Sequence, residues 1–335
     1  MAGFLLFLFS LSLPLFADSC RTTAIAFAES LGLHYLESAG KRGKRFIYLD
    51  ADGKQITNKK EIERMRNFGL PKGYQKVWHS SDPKSHIQFT VENDRGKVQY
   101  RYHPNWVEAR NEAKYEHLPD FGHALIAIRK GVAEALKQKA FSEEKLLAAV
   151  IRLMDLTSIR VGNKEYAQEN ETYGLTTLLG QHVRVIGNKI FLKFTGKDDV
   201  DHSIVTEDAE IAAIIRENRS GPDDPIFFPI TSDDINDYLR ELSEMEISAK
   251  YFRTWGGSVT ALAALRTVEQ AEAIAAAAKR LGNTPGVCRD RYIHPRILSS
   301  DKSTIEHAFK GAGRRKPNRW LNVEEQALLI LLESE

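Results

Sequence analysis

The stretch LGNTPGVCRDRYIHP, from Leu281 to Pro295, closes one helix and opens another within four residues. Gly282 suits a helix C-terminus, and Thr284 followed by proline suits the start of the next helix. The second proline stops that helix, so Tyr292 is predicted to lie on a short helix of about two turns with both ends fixed. Alone, Tyr292 would be read as a half-buried structural residue. A nucleophilic phenol, with an ordinary pKa near 10, needs cationic neighbours.

Three basic residues stand at positions where they could serve such a tyrosine. Arg160 follows the apolar helix LLAAVIRLMDLTSI, and Lys197 follows a predicted strand in FTGKDDVDH, where Gly196 lets the tip of the loop move. Arg253 lies in KYFRTWGG, near the start of a predicted helix. Each alone would be a solvated charge. Together with Tyr292 they form a set suited to metal-free phosphodiester cleavage: two guanidinium donors, a mobile ammonium acid and a phenol nucleophile.

The chain has 335 residues with 47 Lys and Arg against 45 Asp and Glu. Its net charge of +2 does not by itself indicate any particular kind of partner. Charge distribution is more informative, because residues 41–110 hold 16 basic and 8 acidic residues. A basic module is therefore predicted to precede a mildly acidic one, as suits a polyanion binder. Cys20 and Cys288 fit no disulfide framework or zinc spacing, so no structural metal is expected.

Hydrophobic periodicity predicts an α+β fold, with a small β-rich amino-terminal domain and a larger, mainly α-helical catalytic domain that contains a β-hairpin. We assign residues 1–40 to an amino-terminal extension, 41–112 to the β-rich domain and 113–335 to the helical domain. Hairpins are predicted at Asp52-Gly53, around Asn93 to Gly96, and at Gly187-Asn188. Two helix N-caps are predicted, at Ser142 and Asn322.

The run from Phe4 to Ala17 is apolar and uncharged, and it is short for a membrane span of about 20 residues. It is interpreted as a secretion signal, an additional apolar helix, or an upstream extension of the coding region. The last two interpretations are favoured together over a secretion signal, because no basic residues precede the apolar run and the rest of the sequence indicates an intracellular protein.

Four motifs in order carry a resemblance to a known family: IRVGNKEYAQENETYGLTTL, FTGKDDVDH, KYFRTWGG and LGNTPGVCRDRYIHP. They resemble the active-site motifs of the poxvirus-like, bacterial branch of type IB DNA topoisomerases, and the similarity extends from about residue 40 onward. The resemblance implies catalytic roles for Arg160, Lys197, Arg253 and Tyr292. It places Asn283 where viral and eukaryotic relatives have a histidine.

The resemblance also implies a mechanism and a partner. Tyr292 would cleave one strand of duplex DNA through a 3′-phosphotyrosyl link, without metal, nucleotide or other cofactor, and religation after rotation would relax supercoils of either sign. The enzyme is expected to act as a monomer in the cytoplasm, associated with the nucleoid and not with a membrane. By the same resemblance the β-rich domain is a DNA clamp, and the DNA-contacting residues are Gln99, Tyr100, Tyr102, Arg110 and Tyr166.

Strand alternation alone puts Tyr100 and Tyr102 on one face, which could be either the core face or a DNA-contacting face. The late basic stretch GAGRRKPNRW is interpreted as a solvated loop, with a phosphate contact as the alternative.

Two other functions compete with the topoisomerase hypothesis. A tyrosine recombinase or integrase shares the Arg, Lys, Arg, Tyr order, but such enzymes usually place a histidine three residues before the second arginine, where this chain has Lys250. Their LGH motif is LGN here, and their amino-terminal domain is helical, whereas this one is rich in hairpins. A DNA-binding architectural protein with an inactive site is the other alternative, and it is disfavoured because every expected catalytic position is filled.

Overall fold

The computed structural model describes residues 32–40, 43–50, 53–67, 75–92, 98–316 and 318–334. The chain divides into two compact units, residues 1–113 and residues 114–335. The apolar run from Phe4 to Ala17 lies outside the described residues. Within the described ranges, no helix combines the length and the apolar character that crossing a bilayer requires.

The first unit is built on a five-stranded antiparallel sheet with the strand order β2-β1-β3-β4-β5. The strands are β1 (Gly32–Gly40), β2 (Gly43–Leu49), β3 (Gln75–Ser80), β4 (Ile87–Glu92) and β5 (Val98–Tyr102). Pairing of β4 with β5 confirms the predicted second hairpin. Around the hairpin predicted at Asp52-Gly53, Asp52 lies outside the described residues, and the two arms are joined by a bridge between Leu49 and Gln55 and by a hydrogen bond from the Ile56 amide to the Tyr48 carbonyl at 2.8 Å. Strand β1 lies within the segment that the sequence analysis assigned to an extension.

Helix α1 (Lys59–Asn67) packs in this unit through the buried side chain of Met65, which lies against Tyr48. Arg64 of the same helix donates to Gln88 Oε1 at 3.0 Å and to the Ser80 carbonyl at 2.7 Å. The sheet buries alternate apolar residues of β4, including the fully enclosed Phe89. Helix α2 (Pro104–Glu116) begins in this unit and ends in the second.

The second unit is mainly helical, as predicted. Its other helices are α3 (Leu118–Leu136), α4 (Glu143–Thr157), α5 (Lys164–Asn170), α6 (Ala209–Asn218), α7 (Ser232–Ser243), α8 (Lys250–Ala264), α9 (Gln270–Leu281), α10 (Pro285–Tyr292), α11 (Pro295–Ser299), α12 (Lys302–Arg314) and α13 (Val323–Glu333). Both predicted N-caps are confirmed. Ser142 Oγ accepts from the Lys145 amide at 3.2 Å, and Asn322 Oδ1 accepts from the Glu325 amide at 2.8 Å.

The predicted hairpin at Gly187-Asn188 is present, but the sheet that contains it has a third strand. Strands β6 (Val183–Ile186), β7 (Lys189–Gly196) and β8 (Val200–Glu207) form an antiparallel sheet in sequence order. Strand β8 was missed because one of its inward positions is His202, which weakens the alternation of apolar residues. Lys197 therefore lies in the tight turn of a second hairpin and not in an open loop.

An aromatic cluster in the core fixes helix α8 in the second unit. Phe121 is fully buried, with its ring centroid 5.1 Å from that of Phe252 and 6.0 Å from that of Trp255. The Trp255 indole donates to Glu325 Oε1 at 3.0 Å, which joins α8 to α13. Because these contacts hold the first turns of α8 on both sides, the position of Arg253 is set by the core.

Candidate active site

Tyr292 is the last residue of α10, a helix of eight residues. Thr284 caps its start by accepting from the Val287 amide at 3.4 Å, and Gly282 ends the preceding helix in the left-handed conformation with φ 60°. The predicted short helix is thus confirmed, although it ends three residues before Pro295. Fixed ends on both sides leave the Tyr292 backbone little freedom.

The Tyr292 backbone is also held from helix α8. Ser258 Oγ lies 3.3 Å from the Tyr292 carbonyl, to which it donates, and accepts from the His294 amide at 3.0 Å. A Cβ at Gly257 would stand 2.8 Å from the Tyr292 carbonyl oxygen, so only glycine permits this approach. On the other side, Lys114 Nζ donates to the Arg291 carbonyl.

Arg253 packs directly against the nucleophile candidate. Its side chain is deeply buried, with only 4% of the residue exposed, and its guanidinium carbon lies 5.0 Å from the centroid of the Tyr292 ring. Two carbonyls accept from it, those of Ser158 at 2.5 Å and Leu281 at 2.8 Å. Burial, together with the charge of Arg160, lowers the pKa of Arg253 to about 10. Among the described residues, no carboxylate forms a salt bridge with this guanidinium.

Arg160 lies on an extended segment just after α4, where its carbonyl accepts from the Leu175 amide at 2.9 Å. Its Nη2 donates to Asn283 Oδ1 at 3.0 Å. That bond orients the amide of Asn283 so that Nδ2 is buried without a partner. The Nε of Arg253 is likewise buried and unpaired. Two N–H donors, one on Arg253 against the Tyr292 ring and one on Asn283 beside Arg160, thus have no acceptor among the described residues, an arrangement that an anionic ligand would satisfy.

Lys197 is exposed in the turn between β7 and β8, where Asp198 and Asp199 both have positive φ. Burial alone would raise the pKa of Tyr292, but the charges of Arg253, Arg160 and Lys197 outweigh burial and lower it. A lowered pKa increases the phenolate fraction at neutral pH. The structure therefore brings together the five side chains named from the sequence: Arg160, Lys197, Arg253, Asn283 and Tyr292.

Comparison with known proteins identifies the architecture. The family model described as eukaryotic DNA topoisomerase I, catalytic core, matches residues 103–285, which is more than half of the chain. The model described as bacterial DNA topoisomerase IB, N-terminal domain, matches residues 45–90. The chain belongs to the type IB DNA topoisomerase family. It is therefore an enzyme of the isomerase class, and four of the five clustered residues lie inside the first match, with Tyr292 seven positions beyond it.

Named relatives agree with this assignment. The DNA topoisomerase 1B of Acanthamoeba polyphaga mimivirus is 24% identical over 282 residues, covering 76% of this chain and 83% of the relative. The DNA topoisomerase 1B of Vaccinia virus (strain Copenhagen) is 23% identical over 254 residues, covering 71% and 79%. The DNA topoisomerase 1 of Mycosarcoma maydis is 29% identical over 214 residues, but these cover only 21% of that longer protein.

The residues predicted to contact DNA lie partly in each unit of this topoisomerase-family chain. Tyr100 and Tyr102 share a face of β5 with ring centroids 6.4 Å apart, and both are half-buried. Gln99 is half-buried on the same strand, and Arg110 is exposed on α2. Tyr166 is exposed on α5, a helix that begins four residues after Arg160. The tyrosine pair therefore lies at the edge of the core, with part of each ring open to solvent.

Several residues that shape the site were not singled out from the sequence. Ser258 and Gly257 position Tyr292 through its backbone, and Lys114 contacts the residue before it. The adjacent glycines of the KYFRTWGG motif were the available signal, because two glycines inside a helix mark close packing. Nothing in the local sequence pointed to Lys114, since its contact spans 177 positions.

Proposed function

We propose that the chain relaxes supercoiled DNA by metal- and ATP-independent transesterification, with Tyr292 as the nucleophile. The Tyr292 oxygen attacks a phosphodiester of one strand, a 3′-phosphotyrosyl bond forms, and the bond from phosphorus to the 5′ oxygen breaks. The phenolic proton passes to solvent, and Lys197 gives a proton to the departing 5′ oxygen. After rotation of the free end, the 5′ hydroxyl attacks the phosphotyrosine and restores both the strand and the tyrosine.

The two arginines and the asparagine are proposed to hold the non-bridging oxygens as charge develops on them. Arg253 has no carboxylate partner in the described part of the chain, and its Nε is unpaired. Asn283 Nδ2 is equally unpaired, with its amide fixed by Arg160. The observation that carries this proposal is that Arg253 and Asn283 each have a buried N–H donor with no acceptor among the described residues, and that the Arg253 guanidinium lies against the Tyr292 ring.

The amino-terminal unit is proposed to serve as a DNA clamp, with Gln99, Tyr100, Tyr102 and Arg110 touching the duplex and Tyr166 contributing from the helical unit. The net charge of residues 41–110 supports this role, because 16 basic residues stand against 8 acidic ones. All five side chains of the site come from one chain, which supports a monomer as the acting species. A DNA substrate further implies action at the nucleoid.

The experiment compares the wild type with Tyr292→Phe on plasmids of positive and negative supercoiling, with a chelator present. The wild type should relax both, and the variant should bind duplex with nearly unchanged affinity but form no covalent adduct, because only the nucleophilic oxygen is removed. A 3′-linked adduct in the variant would refute the role of Tyr292. Activity that requires paired specific sites would instead favour a recombinase.

A further inference from the structure

The side chain of His202 lies between the two chain segments that carry Lys197 and Asn283. His202 is on β8, opposite Phe194 of β7, and its ring stacks on the Phe194 ring with centroids 4.8 Å apart and an interplanar angle of 15°. Only 8% of the residue is exposed. The imidazole is thus held flat against the inner face of the hairpin whose turn holds Lys197.

Two glycines make room for this ring. A Cβ at Gly196 would stand 2.8 Å from both Cδ2 and Nε2 of His202, and a Cβ at Gly282 would collide with Cε1 of the same ring. Gly196 directly precedes Lys197, and Gly282 directly precedes Asn283. The ring packs directly against the Cα of each glycine with no space between them. It therefore sets the distance between the segment that carries Lys197 and the segment that carries Asn283.

The electrostatic surroundings keep the His202 imidazole neutral. Burial lowers the pKa of His202, the charges of Arg160 and Arg253 lower it further, and Asp201 opposes them. A neutral imidazole adds no positive charge beside the two guanidinium groups. The ring therefore serves as a packing element here.

We propose that His202 is a positioning residue that holds the Lys197 turn at the distance from Asn283 at which Lys197 can protonate the leaving 5′ oxygen. This inference rests on the proposed role of Lys197 as general acid. It predicts that loss of the imidazole impairs leaving-group protonation selectively, while stabilisation of the non-bridging oxygens by Arg253 continues. Glycine at position 196 is then explained by its contact with the His202 ring, and not by mobility of the loop tip, which the sequence suggested.

The test measures single-turnover cleavage by Lys197→Ala, His202→Ala and the wild type on two matched oligonucleotides, one normal and one with sulfur at the bridging 5′ position. A thiolate leaves without a proton, so a defect in proton donation disappears on the sulfur substrate. His202→Ala should cleave normal DNA about 10- to 10²-fold more slowly, as expected for a misplaced catalytic group, and should approach wild-type rates on sulfur.

His182→Ala is the matched control, because the half-buried His182 also has a lowered pKa and also lies against an aromatic ring, that of Tyr173, with ring centroids 4.3 Å apart. It should cleave both substrates equally. Gly196→Ala gives a second route that keeps the histidine, since φ at this residue is −100° and alanine adopts it freely. Its methyl should displace the ring and reproduce the sulfur-dependent defect. The double variant Gly196→Ala, His202→Ala should be no slower than His202→Ala.

The outcomes separate the inference from the proposed function. Rescue of both Lys197→Ala and His202→Ala by sulfur supports both statements. Rescue of Lys197→Ala alone refutes the role of His202 and leaves the general acid in place. Failure of sulfur to rescue Lys197→Ala refutes its role as general acid and overturns the inference with it. If His202→Ala does not fold, the same reading applies to Gly196→Ala.

Discussion

Two arginines in the helical unit, the half-buried Arg129 and the buried Arg253, have opposite surroundings. Arg129 donates to both oxygens of Asp155 at 2.8 Å and to both oxygens of Glu325 at 2.8 and 2.6 Å. Arg253 donates to two backbone carbonyls and otherwise faces Tyr292. Burial alone would lower the pKa of Arg129, but its carboxylate partners raise it, whereas burial and the charge of Arg160 lower that of Arg253.

The difference separates a structural guanidinium from one that is available to a ligand. Arg129 has its charge compensated within the protein, so it joins α3, α4 and α13 and has little attraction left for an anion. The charge of Arg253 is not compensated among the described residues, and burying it is unfavourable until an anion arrives. A scissile phosphate would supply the missing negative charge. This contrast is the physical reason to place the chemistry at Arg253.

The largest expected effect is on stability, from Arg129→Met. The change would leave Asp155 and Glu325 buried without their cation and should lower the free energy of unfolding by about 3–5 kcal/mol. Urea unfolding measures this loss of stability. The folded variant should still cleave DNA within a few-fold of the wild-type rate. Arg266→Met is the control, since the exposed Arg266–Glu306 pair should contribute no more than about 1 kcal/mol. Equal losses in the two variants would contradict the structural role of Arg129.

The next effect is on chemistry, from Arg253→Met. Removing a buried donor of transition-state charge should slow single-turnover cleavage by about 10²- to 10³-fold. Stability should change by only about 1–2 kcal/mol, because just two carbonyls lose their donor and no carboxylate is left unpaired. A variant that unfolds like Arg129→Met, yet cleaves normally, would reverse the comparison and remove the basis for the proposed site.

The sequence predicted most elements around this site, because their signals are local. The Thr284 cap, the left-handed Gly282 and the following proline define the Tyr292 helix within a dozen residues. Strand β8 was missed since a histidine and a threonine occupy inward positions that a strand pattern expects to be apolar. Strand β1 was likewise assigned to an extension, although it pairs with β2 and β3.

The contacts that tune the site could not be predicted, because they join residues far apart in the chain. The order of Arg160, Lys197, Arg253 and Tyr292 suggested a shared chemistry, but the sequence gives no distance between them. Whether an arginine finds carboxylates, as Arg129 does, or only carbonyls depends on helix packing. The clearance at Gly257 likewise exists only once α8 and α10 are packed together.

A smaller effect distinguishes two glycines near Tyr292. Gly257→Ala would put a methyl group 2.8 Å from the Tyr292 carbonyl oxygen and 3.0 Å from Leu281 Cδ1, so the nucleophile must shift. Cleavage should slow by about 10²-fold, as for a displacement of about 1 Å. Gly286→Ala is the control, because Gly286 lies on the same helix as Tyr292 and a Cβ at this position has no atom within 4 Å. Wild-type cleavage by Gly257→Ala, or an equal defect in Gly286→Ala, would show that this close approach does not position the nucleophile.

The smallest expected effect is the pH dependence of stability at the Arg129 cluster. Burial would raise the pKa of Glu325, but hydrogen bonds and charge from Arg129, with the Trp255 bond, lower it below its ordinary value of 4.5. A carboxylate with a lowered pKa in the folded state stabilises the fold above the unfolded pKa, and that stability is lost as pH falls through the folded pKa. Glu325→Gln keeps the shape but cannot ionise, so it should be less stable than wild type by about 1–3 kcal/mol at pH 7.

That deficit should stay constant down to about pH 5 and shrink below pH 4.5, because only the wild type then loses its charge. Urea unfolding from pH 7 to pH 4 measures it. Glu324→Gln is the control, since the neighbouring carboxylate forms no salt bridge in the described part of the chain. A deficit that grows on acidification, or one shared by Glu324→Gln, would mean that the charge of Arg129 is not compensated by Glu325. The contrast with Arg253 would then rest on Asp155 alone.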